Sequence, residues 1–225
     1  MSAFNLKVAS GSSVRLPTAG KYCDRDIVIT ATGGGGAVDL PDGYMHTGFI
    51  RFNDAQIVDT GIICNIDTKI RCVFTREVDT GMYLYGCAST NNTASLTAYL
   101  SSGGSWRFGD KSAGRTLTVN EELIHTAIHS KAGVVAITPN NTYSGVTDFE
   151  TVGSLLIGSA RNANGSIGVA SYIGKIFSFV MWDGDTEVLH LSPVVSTDGV
   201  YRFFDDVSHT FFDSITDTPL DGGNL

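Results

Sequence analysis

The sequence is short of charge, of proline and of long apolar runs. Charged residues make up 17 % of its 225 positions, below the roughly 25 % of an average soluble protein. Cations are the scarcer sign: 15 Lys+Arg stand against 23 Asp+Glu, a formal net charge of −8. A phosphate-backbone binder needs clustered Lys and Arg, so no nucleic-acid partner is expected. The longest apolar stretch, around Ile176–Trp182, falls far below the roughly 20 residues that cross a bilayer, and no membrane insertion is expected. Met1-Ser2-Ala3-Phe4-Asn5-Leu6-Lys7 lacks a basic segment followed by an apolar run, so no signal peptide is expected. No two of Cys23, Cys64, Cys72 and Cys87 form a CxxC pair, which leaves a zinc site unsupported. Cys72 and Cys87 lie in alternating apolar segments and read as small core hydrophobes. Sequons begin at Asn91, Asn140 and Asn164; without a secretory route they read as turn chemistry.

What is present is β structure and glycine. Hydrophobic residues make up 42 % and aromatics 10 %, ample for a core and too apolar for disorder. Glycine occurs 26 times, where average usage gives about 16. Part of that excess is Gly33–Gly36, which reads as a flexible joint. Residues 1–32 then form a small N-terminal β module with strands over 4–16 and 25–32, residues 33–37 a linker, and residues 38–225 one larger domain. Period-2 patterning places strands near 47–53, 56–63, 69–77, 82–89, 95–101, 105–109, 115–119, 123–129, 133–138, 154–159, 169–182, 186–192 and 200–212, with no helix longer than two turns. Many short strands without alternating helices indicate an all-β antiparallel two-sheet sandwich. Asp183-Gly184 suits a type I′ hairpin tip, and Lys131-Ala132-Gly133 reads as a second turn with glycine at positive φ. His125 and His129 would share a face on a helix and could hold zinc there. The β-branched neighbours favour a strand, which sets the two rings about 13 Å apart.

Several segments also carry a family likeness. Leu40-Pro41-Asp42-Gly43-Tyr44, Gln56-Ile57-Val58-Asp59-Thr60-Gly61-Ile62, Tyr83-Leu84-Tyr85-Gly86, Ile157-Gly158-Ser159-Ala160-Arg161-Asn162, Gly174-Lys175-Ile176-Phe177-Ser178-Phe179 and Gly199-Val200-Tyr201-Arg202-Phe203-Phe204-Asp205-Asp206-Val207 follow in order. Together they resemble the concanavalin A-like (laminin G-type) jelly-roll domains of phage and prophage tail proteins. Leu16–Ile27 is similar to a short β module that recurs in phage fibres. Two departures stand out: Cys87-Ala88 follows Tyr85-Gly86 where many relatives have Ala-Arg, and Arg202-Phe203-Phe204 is a small insertion before the closing aspartate. The resemblance implies a jelly-roll sandwich in a virion, made in the host cytoplasm. It further implies a homotrimer that contacts other phage tail proteins through its N-terminal module and a bacterial surface glycan or receptor through its loops. A virion or baseplate decoration module without a ligand of its own, and a glycan-cleaving enzyme, are the alternatives.

For sugar recognition the chemistry needs an aromatic face to stack on a pyranose, with fixed polar groups beside it. Tyr99, Trp106, Arg107 and Asp110 fall within one strand-loop-strand segment and form the first candidate set; Arg161, Asn162 and Asn164 form a second, polar loop. The competing reading puts Tyr99 and Trp106 in the core and makes the Asn-Gly residues turns, and Trp182 reads as core. Asp183, Asp185 and Glu187 are spaced as in the acid strand of some retaining glycosidases, which hold two carboxyls about 5–5.5 Å apart. The Asp-Gly tip would make them straddle a turn, and no G-x-S-x-G elbow is present; no catalytic residue is assigned. Asp79, Asp110, Asp148 and Asp198 are loop aspartates that could offer oxygens to calcium, but no fixed spacing unites them, and no cofactor or metal is assigned.

Overall fold

The computed structural model describes residues 40–89, 94–100, 105–114, 117–136, 141–169 and 171–224. The N-terminal module and the glycine joint lie outside the described residues. Alternation produces a succession of strands: β1 Tyr44–His46, β2 Phe49–Asn53, β3 Val58–Asn65, β4 Thr68–Arg76, β5 Met82–Ala88, β6 Ser95–Leu100, β7 Ser105–Gly109, β8 Lys111–Gly114, β9 Asn120–Ser130, β10 Gly133–Ala136, β11 Asn141–Thr142, β12 Glu150–Ile157, β13 Ile173–Asp183, β14 Thr186–Ser196, β15 Tyr201–Asp205, β16 Thr210–Phe212 and β17 Asp221–Gly223. An 11-stranded sheet runs β11-β10-β9-β4-β13-β14-β15-β16, with β1 on β14 and with β2 between β13 and β17. A 6-stranded sheet runs β3-β12-β5-β6-β7-β8. Every strand pair is antiparallel, and no helix occurs among the described residues. The expected all-β two-sheet sandwich is the observed architecture.

The sheets meet through one apolar core. Ile70, Cys72 and Phe74 of β4, Phe179 and Met181 of β13, and Leu189 and Leu191 of β14 face Tyr85 and Cys87 of β5, Leu96 and Ala98 of β6, and Trp106 and Phe108 of β7. The Tyr85 and Phe179 rings meet edge to face across the layers, 5.6 Å between centroids, within the range favoured by aromatic quadrupoles. Cys64, Cys72 and Cys87 are free and fully buried, so Cys72 and Cys87 pack as small hydrophobes as expected. Cys23 lies outside the described residues. Burial pushes the Cys72 thiol up, and a hydrogen bond with Cys87, together with burial, does the same to Cys64; neither thiol is reactive in the folded chain.

Strand β13 shows why its motif reads as it does. It pairs with β2 through Ile173–Ile176, then with β4 from Ile176 to Asp183. At the start, Gly174 has φ +157, and a Cβ there would lie 2.6 Å from Tyr172 Oη and 2.7 Å from the Thr75 carbonyl oxygen. Those two oxygens are themselves bonded, Tyr172 donating to Thr75 O at 2.6 Å, so only glycine lets β13 pass.

The short strands β1, β8, β11 and β17 lie outside the expected ones, and three further details differ from expectation. Of the strand expected over 115–119, residues 115–116 lie outside the described residues and 117–119 belong to no strand, since β8 ends at Gly114 and β9 begins at Asn120. The expected strand 200–212 is broken by a turn over 206–209, where Asp205 accepts from the amides of His190, Val207 and Ser208 and from the Ser208 hydroxyl. The β13–β14 hairpin is shifted by one residue: Asp183 pairs with Thr186, leaving Gly184-Asp185 as the two-residue loop. Gly184 has φ +59 and Asp185 is not in the positive region, the pattern of a type II′ turn and not of type I′. The Lys131-Ala132 turn is as expected, with Gly133 at φ +132.

Candidate functional site

The two aromatics expected to share a site are separated by register. Ala98 pairs with Trp106 and Tyr99 pairs with Ser105, so the two rings project to opposite faces of the small sheet. Trp106 turns inward and is fully buried. Its ring face is unavailable to a sugar, which corrects that part of the expected set. It packs edge-on against His129, 5.6 Å between centroids, and against Tyr85 at 6.1 Å.

His129 and His125 alternate inward on β9, which settles the strand over the helix. Among the described residues no group of three His, Cys, Asp or Glu could hold a metal. His129 sits in a directed hydrogen-bond chain. Tyr143 Oη has one proton and donates it to the Trp106 carbonyl oxygen at 2.9 Å. It must then accept from His129 Nε2 at 3.2 Å, which leaves Nδ1 to accept from Tyr85 Oη at 3.0 Å. The ring is therefore the neutral Nε2–H tautomer. Burial holds its pKa down at about 3, and burial, together with the nearby Arg76, also lowers that of His125.

A pH dependence follows. An unfolded histidine takes up its proton as pH falls through about 6.5, whereas folded His129 waits until about 3. Between those values the unfolded state binds more protons, so stability falls as pH drops, by about 1.4 kcal/mol per unit. Urea unfolding should show a loss of about 2 kcal/mol between about pH 7 and pH 5 from this group alone. The His129→Gln variant should have a pH profile flatter by that amount; an unchanged profile would place the acid sensitivity elsewhere.

The outward face of the small sheet keeps the other half of the expected set. Tyr83 of β5 is the direct cross-strand partner of Tyr99, with ring centroids 4.8 Å apart, and both are half-buried. Gly81 makes room for the pair, because a Cβ there would fall 1.9 Å from Tyr99 Oη. Beside them Thr97 pairs with Arg107, and Arg107 with Ser112, so Arg107 stands diagonal to Tyr99, roughly 7–8 Å away at the backbone. Among the described residues no carboxylate pairs with Arg107. Tyr83, Tyr99, Thr97 and Arg107 thus present an aromatic pair, a hydroxyl and a cation on one face. Tyr83 was missed as a site residue, although the alternation of Met82-Tyr83-Leu84 with Leu96–Leu100 carried the signal.

The remaining expected site residues have structural duties. Asp110, next to the tight turn at Gly109, accepts from Lys111 Nζ at 2.7 Å and from the Thr147 amide at 2.9 Å. The Lys111 bond first, then Thr147, holds its carboxyl down at about 2. Arg161 lies over the outward face with its side chain committed: Nε donates to Ser154 O at 3.0 Å, Nη1 to Gly165 O at 3.2 Å, and Nη2 to Asp59 at 2.7 Å and Ser154 Oγ at 3.1 Å. It clamps the 158–169 loop to β3 and β12. Asn162 donates to Ser166 Oγ, and Asn164 accepts from the Ser166 amide and hydroxyl, the turn chemistry of the competing reading. The sequons at Asn91 and Asn140 lie outside the described residues.

Of the four loop aspartates, Asp79 pairs with Arg76, Asp198 accepts from Ser196 Oγ, Asp110 is held as above, and Asp148 is exposed. Asp183, Asp185 and Glu187 surround the hairpin tip as expected from a turn there. Trp182 is not a core residue. It alternates with inward Met181 and lies half-buried on the outward face of the large sheet.

No family model matches the chain, and no curated protein matches it. Among solved structures it is similar to the native heptameric SAP-like pentraxin from Limulus polyphemus, at 14 % identity, with a TM-score of 0.44 over 62 % of this chain and 75 % of that one.

Proposed function

We propose that this chain is a non-enzymatic attachment protein of a phage tail fibre, binding a bacterial surface glycan through the outward face of its small sheet. The observation that carries the reading is the Tyr83–Tyr99 pair beside Arg107 and Thr97. Half-buried rings locked by cross-strand pairing lose little entropy on stacking against a pyranose, and Arg107 and Thr97 supply polar contacts at its edge. The resemblance of the β13 and closing motifs to phage tail domains supports the virion setting. The acidic residues at the β13–β14 tip straddle a turn, which supports binding over glycan cleavage. In this reading the chain trimerises within the fibre, and three weak contacts gain by effective concentration.

The test is labelling of a panel of bacterial strains with fluorescent protein. Labelling of at least one strain, its loss after periodate oxidation of the cells, and about a tenfold fall for Tyr99→Ala/Arg107→Gln at unchanged melting temperature are the expected results. Labelling that ignores periodate, or that survives the double substitution, overturns the glycan assignment; a monomer in light scattering overturns the trimer.

A further inference from the structure

The opposite side of the sandwich carries a second aromatic–cation arrangement. On the outward face of the large sheet, Lys69 is the direct cross-strand partner of Trp182, and Arg71 lies one step along β4, opposite Val180. Lys69 Nζ is 4.6 Å and Arg71 Cζ 5.8 Å from the Trp182 ring centroid. Val180 is fully buried beneath these side chains, so the patch is a packed platform and not a set of loose surface residues.

Charge makes the platform unusual. In a chain of net charge −8, the other described cations apart from Arg107 each pair with a carboxylate: Arg51 and Lys175 with Glu77, Arg76 with Asp79, Lys111 with Asp110, Lys131 with Asp67, Arg161 with Asp59 and Arg202 with Asp213. Lys69 and Arg71 pair with none among the described residues, and Arg71 Nε is shielded from water without an acceptor. The nearby acids are engaged elsewhere, Glu187 against His190 at 3.1 Å and Asp183 accepting from Asn65. Two unpaired cations aligned on one ring have a donor surplus that a carboxylate would meet, and arginine takes a carboxylate in fork geometry. The ring edge beside them offers apolar area to a pyranose.

We propose that Trp182, Lys69 and Arg71 form a binding site for an acidic polysaccharide bearing uronate carboxylates. The site is separate from the Tyr83–Tyr99 face and does not depend on it. The carboxylate lies between the Lys69 ammonium and the Arg71 guanidinium, and the sugar ring packs beside the indole.

The test is retention of the protein by polygalacturonate, compared with neutral dextran, at low and at physiological salt. Wild type is retained by polygalacturonate only, and retention weakens with salt. Lys69→Gln/Arg71→Gln lowers affinity by at least about tenfold, and Trp182→Ala does the same, whereas Trp182→Phe keeps most of it. Lys131→Gln removes a charge from the same sheet's hairpin end and leaves retention unchanged. Tyr99→Ala/Arg107→Gln also leaves it unchanged, which separates failure of this site from failure of the other face. Absence of wild-type retention at low salt, equal retention by Lys69→Gln/Arg71→Gln, or an equal drop in Lys131→Gln overturns the proposal. If Trp182→Ala does not fold, the Lys69/Arg71 double variant, whose changes are at half-buried positions on the outer face and outside the core, still decides it.

Discussion

Replacing Trp106 with alanine is expected to lower the unfolding free energy by about 3–5 kcal/mol. The side chain is fully buried between the sheets, with its edge on His129 and Tyr85. Its removal deletes that contact area and leaves a cavity that β-sheet backbones cannot close. The Trp106 carbonyl also accepts from Tyr143, so backbone relaxation around the cavity would disturb the directed chain through His129. With typical net stabilities of about 5–15 kcal/mol, the loss removes a large share of the total. Trp106→Phe should cost clearly less, because the indole Nε1 has no hydrogen-bond partner to lose and most of the volume remains. Equilibrium urea unfolding measures both. A ligand-stacking tryptophan would behave the other way, losing binding at near-native stability, so a Trp106→Ala protein with an unchanged urea midpoint would refute the inward placement.

Asp205→Ala should cost about 3–5 kcal/mol. The carboxylate is 1 % exposed. Its Oδ1 accepts from the His190 and Val207 amides at 2.7 and 3.2 Å, and its Oδ2 from the Ser208 amide at 3.0 Å and the Ser208 hydroxyl. Alanine strands three backbone N–H groups, each needing an acceptor. It also unties the turn in which His209 adopts φ +58. Asparagine gives little relief: whichever way the amide is turned, its NH2 faces two donors. At about 2–4 °C per kcal/mol for a chain of this size, the melting temperature should fall by roughly 10 °C in Asp205→Ala. A shift within about 2 °C would mean that the turn holds without its carboxylate.

The aspartate's place in the closing motif was readable, but its work was not. Gly199–Val207 was recognisable as a family-like segment, whereas one of the four groups Asp205 accepts from, the His190 amide, belongs to β14, and only pairing of β14 with β15 brings it there. The same limit applies to the candidate site. Tyr99 and Trp106 are close in sequence and were expected to act together. Whether they share a face depends on which residue of β7 lies opposite Tyr99, and a one-residue difference in register reverses every side chain. Arg161 was expected to be free for a ligand because it sits in a polar loop, yet Asp59, its partner, is 102 positions away in sequence. Lys69 and Trp182 are 113 positions apart by number (182 − 69), and β4–β13 pairing alone makes them neighbours.

The sequence by itself determined what local physics controls. Period-2 alternation set most of the strands and excluded long helices, and glycine and Asp-Gly chemistry set the turns to within a residue. Low cation content counted against a nucleic-acid partner and the lack of a long apolar run against a membrane-spanning helix, and apolar neighbours placed Cys72 and Cys87 inside. Only the tertiary structure decided which aromatics are buried, which cations are paired and which faces remain open. Those outcomes depend on long-range strand register, where many pairings satisfy the local pattern and the choice is made by how the two inner faces pack together.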